Sequence, residues 1–250
     1  MKVDIVFHGF PGRMTRGYMS WSSVVYLEVN DCKIVFDTGG MVERSEVPKR
    51  FKDRGISLNE IDIVVLSHFH YDHAMNFDFF PNARILLHEA EINWVLSDPD
   101  DWPIPKYLFP ALEKTGRLEA VSKDIEIAPG VKTLHSPGHT PGCMSLVLSS
   151  NTMPTTVLAG DAVKNLNELA TGEVAMSWDN EASAETIRRI REIAKVVIPG
   201  HDRVLEVAED KIVAATSVRE TIIVPAGVAD LDKPRLIELV VEPTCQLIKK

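Results

Sequence analysis

Hydrophobic and polar positions divide the chain into short strands, three helices and two irregular connections. Apolar, β-branched runs bounded by turn residues are typical of strands, because they fit a pleated surface that is buried on at least one face. Such runs predict strands at residues 3–8, 22–29, 33–37, 61–66, 84–88, 125–127, 131–135, 145–148, 156–158, 196–198, 204–207, 222–224 and 236–241. Helical spacing predicts helices at residues 43–53, 89–96 and 183–194, the last with Ser183 as its N-cap.

The order of these elements predicts an α/β fold. Strands, a helix, more strands and another helix indicate two sheets with helices on their outer faces. The sequence has no internal repeat, low-complexity tract or clear linker, so we expect residues 1–250 to form one domain. A chain of this length buries most of the surface that its unfolded form exposes. We therefore expect any bound metal to serve chemistry rather than folding.

Two connections combine large apolar side chains with helix-breaking residues. Residues 9–21 contain three glycines and a proline among aromatic and methionine side chains, and we expect a long hairpin loop there. Residues 97–110 contain four prolines together with Trp102 and Tyr107. This segment is too rich in proline for a helix and too aromatic for a solvated linker. It is predicted to be an ordered loop that packs over another part of the molecule.

Composition narrows the classes of partner. A net charge of −9 without a dense Lys/Arg run disfavours nucleic acid, whose binding rests on phosphate neutralisation. Three separated cysteines without a CxxC motif disfavour a disulfide framework or thiolate cluster. No apolar run has the length of a membrane span. Residues 1–8 lack the pattern of a signal peptide, so we expect a cytoplasmic protein that acts on a small molecule.

Residues 68–73, HFHYDH, directly follow the predicted buried strand 61–66. Imidazole is a common ligand of transition metals, and carboxylate is a compatible harder ligand. His68 and His70 are two positions apart, so in an extended segment they face the same way and can bind one ion. Asp72 and His73 follow at a turn and can face a second ion. A polar loop that is rich in histidine by chance does not account for this spacing.

The run HFHYDH resembles the HxHxDH signature of the metallo-β-lactamase superfamily. Four further segments resemble motifs of that family in the family's order, and they are Asp37–Gly39, Ser136–Gly142, Leu158–Asp161 and Ile198–Asp202. The resemblance implies an α/β fold of the four-layered αββα sandwich type, with the ligands gathered at one edge of the sandwich.

The resemblance also implies a centre of two metal ions. The ligands carried over are His68, His70 and His139 for the first ion, Asp72, His73 and His201 for the second, and Asp161 as the bridge. Asp72 is in addition the candidate catalytic group, which orients the nucleophile or moves a proton. Asp37 is expected to brace the metal-binding loop through hydrogen bonds. His8, His88 and His135 lie in strand-like runs and are expected to be structural.

Such a ligand set predicts hydrolysis. Two divalent ions about 3.5–4 Å apart share a water and bring its pKa close to 7, so that hydroxide attacks an acyl or phosphoryl centre. We therefore expect a dinuclear metal-dependent hydrolase that cleaves a carbonyl ester, lactone or thioester of a small substrate. The ligands are all nitrogen or oxygen donors, so zinc is the first expectation but iron and manganese stay open.

Departures from particular branches of the family narrow this expectation. Exported zinc β-lactamases generally lack the bridging aspartate that Asp161 matches, which disfavours antibiotic hydrolysis. Glyoxalase II adds a helical C-terminal domain, whereas residues 202–250 look rich in strands. The nucleases of the family carry extra domains or arms, and we expect none here, because we recognise no such segment and the net charge is −9. N-acyl homoserine lactonases carry a tyrosine shortly after the bridging aspartate, and no tyrosine follows Asp161 here. A lactonase is thereby disfavoured, while other carbonyl esters are not.

Three alternatives stay open. The same scaffold carries iron-dependent oxidoreductases of the persulfide-dioxygenase type, and it also carries phosphodiesterases. Flavodiiron proteins usually have glutamate at the second histidine of the signature, so His70 favours hydrolysis. A non-catalytic metal-binding protein is the weakest alternative, because all seven ligands are present.

Residues 10–21 and 94–109 are predicted to form the walls of the substrate pocket, because pockets are mostly apolar with a few polar groups. The candidate substrate-binding residues are Arg13, Arg16, Trp21, Trp102 and Tyr107. The two arginines would hold a carboxylate or phosphate end of the substrate. The alternative is that these side chains cover the core or form a homodimer contact.

Overall fold

The computed structural model describes residues 1–249. Its strands are β1 Lys2–Phe7, β2 Arg13–Met14, β3 Gly17–Tyr18, β4 Val24–Val29, β5 Cys32–Phe36, β6 Ile63–Val65, β7 Arg84–His88, β8 Leu118–Val121, β9 Glu126–Ala128, β10 Val131–His135, β11 Met144–Ser150, β12 Met153–Gly160, β13 Val196–Pro199, β14 Leu205–Val207, β15 Lys211–Ala214, β16 Val218–Val224, β17 Arg235–Val241 and β18 Thr244–Leu247. Its α-helices are α1 Val47–Asp53, α2 Tyr71–Ala74, α3 Glu89–Leu96, α4 Phe109–Lys114, α5 Leu166–Thr171 and α6 Asn180–Ile193.

Two mixed sheets contain most of the strands. The first has six strands in the order β1-β4-β5-β6-β7-β8, and the second has eight in the order β18-β15-β14-β13-β12-β11-β10-β9. In the first sheet β5, β6, β7 and β8 run parallel to one another, whereas β1, β4 and β5 are paired antiparallel. In the second sheet β12 and β13 are parallel and the other pairs are antiparallel. Parallel neighbours require crossovers, which place helices on the faces of the sheets.

Alternation along the strands sorts the apolar side chains into layers. In β6, Val64 packs into a core with Val47 and Phe51 of α1, whereas Val65 packs against Leu146 of the second sheet. Successive side chains of a strand point to opposite faces, so each strand of the first sheet contributes to two cores. The face that Val64 occupies is covered by α1, α3 and α4.

The second sheet repeats this arrangement. Leu158 of β12 belongs to the core between the sheets, and the adjacent Val157 belongs to a third core with Ile187 and Ile190 of α6. Helix α5 contributes Leu169 to the same outer core. The layers therefore run helix, sheet, sheet, helix, which is the four-layered αββα sandwich that the sequence predicts.

Loops that follow several strands converge at one edge of the sandwich. The loop after β6 joins the second sheet where the Ser67 carbonyl accepts from the Met144 amide, at 2.8 Å. The loop after β13 joins the first sheet where the Gly200 carbonyl accepts from the Ser23 amide, at 2.7 Å. The Gly200 amide in turn donates to the Gly160 carbonyl at the end of β12, at 2.8 Å. Hydrogen bonds between backbone groups thus fix these loops relative to one another.

The predicted N-cap of the last helix is wrong. Helix α6 begins at Asn180, and the side chain of Asp179 caps it by accepting from the Glu181 and Ala182 amides. Asp is as good an N-cap as Ser, and Asp179 lies one turn earlier. The oxygen of Ser183 lies instead within 2.5 Å of the Ser177 hydroxyl. The short helices α2, α4 and α5 were not predicted, because four to six residues are too few for a clear helical period.

Strands β16 and β17 form a separate two-stranded ribbon with seven paired positions. Ile223 and Leu236 on this ribbon are 64% and 60% exposed. In residues 1–249, none of the helices combines the length and the apolar character that crossing a lipid bilayer requires.

Candidate metal centre

The HFHYDH run occupies the loop after β6 and the start of α2. His68 and His70 lie in extended backbone, and the chain turns into α2 at Tyr71, which brings Asp72 and His73 to the same side. His139 arrives from the loop between β10 and β11, Asp161 follows β12, and His201 follows β13. Four separate segments of the fold thus supply the seven side chains. The loop at Asp37, which supports them, is a fifth segment.

The seven side chains form groups whose ligand atoms lie within 4.8 Å of one another. These groups are His68, His70 and His139; Asp72, His73 and His201; and His68, His73 and Asp161. In the first group His139 Nε2 is 3.1 Å from His70 Nδ1. In the second group Asp72 Oδ2 is 3.5 Å from His201 Nε2 and 4.0 Å from His73 Nε2.

Asp161 lies between the first two groups. Its Oδ2 is 3.3 Å from Nε2 of His139, in the first group. Its Oδ1 is 3.3 Å from Nε2 of His73 and 3.2 Å from Nε2 of His201, in the second group. One carboxylate therefore presents one oxygen to each group, which is the geometry that a bridging ligand needs.

Each of the five histidines uses its other ring nitrogen to contact the protein. These contacts are His68 Nδ1 with Ser67 Oγ at 2.9 Å, His70 Nε2 with Asp101 Oδ2 at 3.1 Å, His73 Nδ1 with Asp37 Oδ2 at 2.8 Å, His139 Nδ1 with the Met176 carbonyl at 2.9 Å and His201 Nδ1 with the Trp21 carbonyl at 2.9 Å. Such partners fix the tautomer and the ring orientation of metal-binding histidines. The remaining nitrogen of each ring is left for the centre.

The residues present fit a divalent cation. His68 Nε2, His73 Nε2 and Asp161 Oδ1 are buried and have no hydrogen-bond partner, although they face other nitrogen and oxygen atoms. An unpaired buried polar atom is costly, and a native structure rarely tolerates one without a reason. Three such atoms converging on one volume, all from imidazole or carboxylate groups, are the donor set of a transition-metal site.

Electrostatics point the same way. Burial, with the neighbouring imidazoles, holds the pKa of His68 well below the ordinary histidine value, and burial does the same for the pKa of His139. Neutral imidazole is the form that binds metal. Burial opposes ionisation of Asp161, but His201 and His73 hold the pKa of its carboxyl well below the usual range. Burial opposes protonation of His73 and His201 as well, but Asp161 and the other nearby carboxylates raise the pKa of both imidazoles. The centre therefore combines neutral nitrogen donors at His68 and His139 with buried carboxylates that attract positive charge.

The carboxylate of Asp37 holds the HFHYDH loop in place through contacts with Ser67 and His73. One of its oxygens accepts the Ser67 amide at 2.7 Å, and the other accepts the Ser67 hydroxyl at 2.8 Å and contacts His73 Nδ1. Asp37 has a φ of 57°, in the left-handed region that Asn and Asp tolerate better than most side chains. This is the bracing position expected for Asp37.

Glu91 of α3 is a second buried support, and it was not predicted from the sequence. Its carboxylate accepts the Phe69 amide at 2.9 Å, the Thr140 hydroxyl at 2.6 Å and the Gly142 amide at 3.2 Å. It thereby ties the loop that carries His68 and His70 to the loop that carries His139. Only the tertiary structure identifies this role of Glu91. A glutamate near the start of a helix is also explained by its favourable interaction with the helix dipole.

Two clefts open onto the centre, and both are lined by His70 and His139. The first, which we call the polar cleft, has a volume of about 300 Å³. Its further lining includes Arg13, Tyr18, Tyr71, Asp72, Trp102, Asp161, Lys164, Glu168 and His201. The second, which we call the aromatic cleft, has a volume of about 390 Å³. Its further lining consists of Trp94, Asp100, Asp101, Trp102, Pro103, Met176, Ser177 and Trp178.

Of the five predicted substrate-binding residues, the structure brings Arg13 and Trp102 to the clefts but not Arg16, Trp21 or Tyr107. The Trp21 ring stacks on Phe10 at 4.8 Å and its indole donates to the His8 carbonyl, so it packs within its own loop. Arg16 lies at the exposed turn between β2 and β3, and Tyr107 is 77% exposed. Trp21 contributes to the centre through its backbone carbonyl instead.

Lys164 lines the polar cleft and was also not predicted. Its amide donates to Glu168 Oε2 at 2.8 Å, and its carbonyl accepts from the His201 amide at 2.8 Å. Its ammonium lies 3.1 Å from Glu168 Oε1, and the side chain is 15% exposed. The sequence offered one signal for Lys164, which is its position three residues after Asp161 of the Gly-Asp turn.

The remaining histidines lie outside the centre. His88 and His135 stack on each other with ring centroids 3.9 Å apart and planes inclined by 2°. His88 Nδ1 also accepts from the Ala90 amide and caps α3. His8 is exposed, and its carbonyl receives the Trp21 indole.

Comparison with known proteins agrees with this fold and centre. Residues 17–201, well over half of the chain, match the family model described as the metallo-beta-lactamase superfamily. The chain therefore belongs to that superfamily. Among relatives, an N-acyl homoserine lactonase from a Bacillus species is 26% identical over 166 residues, and metallo-beta-lactamase domain-containing protein 1 of Mus musculus is 27% identical over 180 residues.

These matches cover part of each protein. The lactonase alignment spans 65% of this chain and 64% of the lactonase, and the mouse alignment spans 72% of this chain and 63% of the mouse protein. A solved structure of an N-acyl homoserine lactone hydrolase, with product bound at its catalytic metal centre, superposes with a TM-score of 0.63. It is 22% identical, and the match covers 80% of this chain and 92% of that one. At this identity the superposition shows the shared fold.

Proposed function

We propose that this chain is a metal-dependent hydrolase that cleaves a carbonyl ester of a small substrate, with a lactone as the first candidate. The position of Asp161 carries the proposal, because its two oxygens face two separate groups of histidine nitrogens. The lactonase relatives support an ester or lactone substrate. Zinc is the proposed metal, since imidazole-rich sites with carboxylate suit it, and iron or manganese would be accepted by the same donors.

The proposed ligands of one ion are His68, His70 and His139, and those of the other are Asp72, His73 and His201, with Asp161 shared. When bound, two divalent ions supply a nucleophile from water near neutral pH and polarise the attacked carbonyl. The five histidines are held in place before any substrate arrives. Each ring contacts one support through its second nitrogen, and these supports are Ser67, Asp37, Asp101 and two backbone carbonyls.

Asp72 is proposed as the group that orients the nucleophile or moves a proton. Both Asp72 and Asp161 line the polar cleft, but the side chain of Asp72 is 20% exposed and that of Asp161 only 5%. A carboxylate that touches both the centre and the cleft can accept a proton from one side and release it to the other. The Asp72 carbonyl is held by the Ser22 hydroxyl at 2.6 Å, which fixes the start of α2.

Lys164 is proposed to bind an oxygen of the substrate. Its ammonium is held at the cleft wall by Glu168, and three N–H donors leave it capacity beyond that one partner. The absence of a tyrosine after Asp161 argued against a lactonase. Lys164 supplies a hydrogen-bond donor from the segment that follows Asp161. Tyr18 and Tyr71 contribute phenol groups to the same cleft from other segments. The cleft is therefore equipped to bind an ester or lactone.

An activity screen with defined metal loading tests the proposal. Metal-stripped protein is reloaded with zinc, manganese or iron and assayed on lactone, ester, thioester, phosphodiester and β-lactam substrates. Oxygen consumption with a persulfide substrate is measured on the iron form. The proposal expects metal-dependent cleavage of a lactone or ester that Asp161→Ala abolishes. Cleavage of a phosphodiester alone, or oxygen consumption alone, would assign the chain to one of the other two activities of this scaffold.

Three further expectations from the sequence remain proposals: a single domain over residues 1–250, a cytoplasmic location and a homodimer. The ribbon of β16 and β17 supports the homodimer, because its exposed Ile223 and Leu236 lie opposite each other in the register. Light scattering after gel filtration tests it. A dimer that Ile223→Lys dissociates places the contact on the ribbon, whereas a monomeric wild-type protein rules the homodimer out.

A further inference from the structure

The aromatic cleft has a composition that hydrolysis of an ester does not by itself require. Three of the four tryptophans of the chain, Trp94, Trp102 and Trp178, line one cavity of about 390 Å³ that opens onto His70 and His139. Trp102 is 61% exposed and Trp178 is 53% exposed. Large aromatic rings left open to solvent at the mouth of a site point to a ligand that covers them.

The rings are arranged at an angle to one another. Trp94 and Trp178 have centroids 6.2 Å apart and planes inclined by 62°. Trp102 is held in the wall by stacking on Tyr18 at 5.4 Å. The segment of Trp178 is fixed to the centre, because its amide donates to the His139 carbonyl at 3.0 Å. The aromatic faces therefore surround a volume whose position relative to the metal ligands is set.

Apart from His70 and His139 of the metal centre, the ionisable side chains that line this cleft are both carboxylates. Asp100 and Asp101 line it, and none of its lining residues within the described chain is a lysine or an arginine. Lys106, in the same connection, is paired with Asp98 at 2.5 Å. Aromatic faces carry negative electrostatic potential and attract cations, and nearby carboxylates add to that attraction. The polar cleft differs, because Arg13 and Lys164 line it.

We propose that the aromatic cleft binds an organic cation, a trimethylammonium or protonated amine group, on the substrate whose ester carbonyl reaches the metal centre. This inference rests on the proposed ester hydrolysis and specifies the class of substrate. An uncharged acyl tail would cover the tryptophan rings equally well. It would, however, desolvate Asp100 without giving that carboxylate a partner, which is costly for an ionised group, whereas Asp101 already contacts His70.

Binding tests the inference without relying on turnover. Choline and its uncharged isostere 3,3-dimethylbutan-1-ol are titrated into zinc-loaded protein, followed by calorimetry and by tryptophan fluorescence. We expect choline to bind about tenfold more tightly than the isostere, a preference within the range of cation–π contacts. Trp178→Leu and Asp100→Asn should each reduce that preference at least about threefold. Tyr107→Leu, an exposed aromatic residue outside both clefts, is the matched control and should leave the preference unchanged.

Hydrolysis of acetylcholine and of 3,3-dimethylbutyl acetate separates this inference from the proposed function. A choline preference without cleavage of either ester supports the cation site and contradicts ester hydrolysis. Cleavage of both esters with equal kcat/KM, together with equal binding of choline and its isostere, supports hydrolysis and overturns the cation site. Asp100→Asn is a surface substitution, so the inference stays testable if Trp178→Leu fails to fold.

Discussion

Nε2 of His70 lies 3.1 Å from Oδ2 of Asp101, so a carboxylate of the proline-rich connection holds a candidate metal ligand. Asp101→Ala removes this partner and frees the His70 ring to rotate. Loss of such partners typically weakens metal binding by about 10- to 100-fold, and we expect a decrease of that size. Competition for zinc with a chromophoric chelator measures it.

Asp100→Ala is the matched control for Asp101→Ala. Asp100 is exposed, belongs to the same connection and lines the aromatic cleft, but it has no contact with a histidine of the centre. Its substitution should leave the affinity for zinc unchanged. If Asp101→Ala also binds zinc as tightly as the wild-type protein, the carboxylate does not position His70.

Asp161→Ala should change the number of ions bound per chain. The wild-type protein is expected to bind about two divalent ions, and the variant should lose at least one of them because both groups lose a shared oxygen. Elemental analysis of protein that has been dialysed against zinc measures this. The control is Asp62→Ala, which removes a turn carboxylate that accepts the Lys33 amide at 2.8 Å, outside the metal centre. Asp62→Ala should lower the melting temperature and keep two ions, and an Asp161→Ala protein that also keeps two ions would contradict a bridge.

The sequence predicted the seven ligands because each lies in a short motif with its own spacing. It did not predict Glu91 or Asp101, because their partners are 22 to 51 residues away and only the packing of α3 and the proline-rich connection brings them together. Trp21 was predicted to line the pocket because it is large and lies among other large apolar residues. In the structure its ring stacks on Phe10 instead. The spacing of residues within a motif thus predicts the metal ligands. The residues that support those ligands are brought together only by tertiary contacts.

The strands show a related difference. Strand β7 has the predicted bounds because a short apolar run that is buried on both faces is a clear signal of a central strand. Predicted strand 222–224 is the end of a seven-residue strand, since Val218–Thr221 mix polar and apolar residues on an exposed ribbon. The periodic signal weakens wherever neither face of a strand is fully buried.

Gly200→Ala should disrupt the centre through a direct clash. A Cβ on Gly200 would lie 2.0 Å from Asp161 Oδ1 and 2.9 Å from the Gly160 backbone, so Asp161 or the loop after β13 must move. We expect weaker zinc binding together with a lower melting temperature. Gly55→Ala is the control: its φ is 69° but its Cβ meets open space, so it should cost about 1 kcal/mol in stability and leave zinc binding intact. Equal zinc affinity in the two variants would show that the loop adapts.

Lys164→Met should slow turnover without removing the metals. Removing one donor to a developing negative charge typically lowers kcat by about 10²–10³-fold, and we expect a loss in that range with zinc content unchanged. Lys164→Arg should restore part of the loss, because it keeps the charge. Lys106→Met removes an exposed lysine of the neighbouring connection and serves as the control. A rise in KM at constant kcat would mean that Lys164 stabilises the bound substrate and the transition state equally, and so does not accelerate the chemical step.

His88→Asn should make the stability of the protein less sensitive to acid. Burial, with the stacked imidazole of His135, lowers the pKa of His88 from 6.5 to about 4, while Asp124 acts weakly in the opposite direction. The unfolded chain therefore takes up this proton at a higher pH than the folded chain does. The stability that neutral His88 contributes is complete above about pH 6.5 and is lost as the pH falls towards 4.

Asn at this position keeps an acceptor for the Ala90 amide, so α3 stays capped while the titrating group is removed. Melting temperatures of both proteins are measured in steps from pH 7.5 to pH 4. The wild-type protein should lose more stability than the variant across this interval, because only it contains the His88 imidazole that must remain neutral in the fold. Other buried histidines titrate in both proteins, so their effects cancel in the difference between the two curves. Parallel curves would mean that His88 is protonated as readily in the folded chain as in the unfolded one, and that the stack on His135 tolerates the charge.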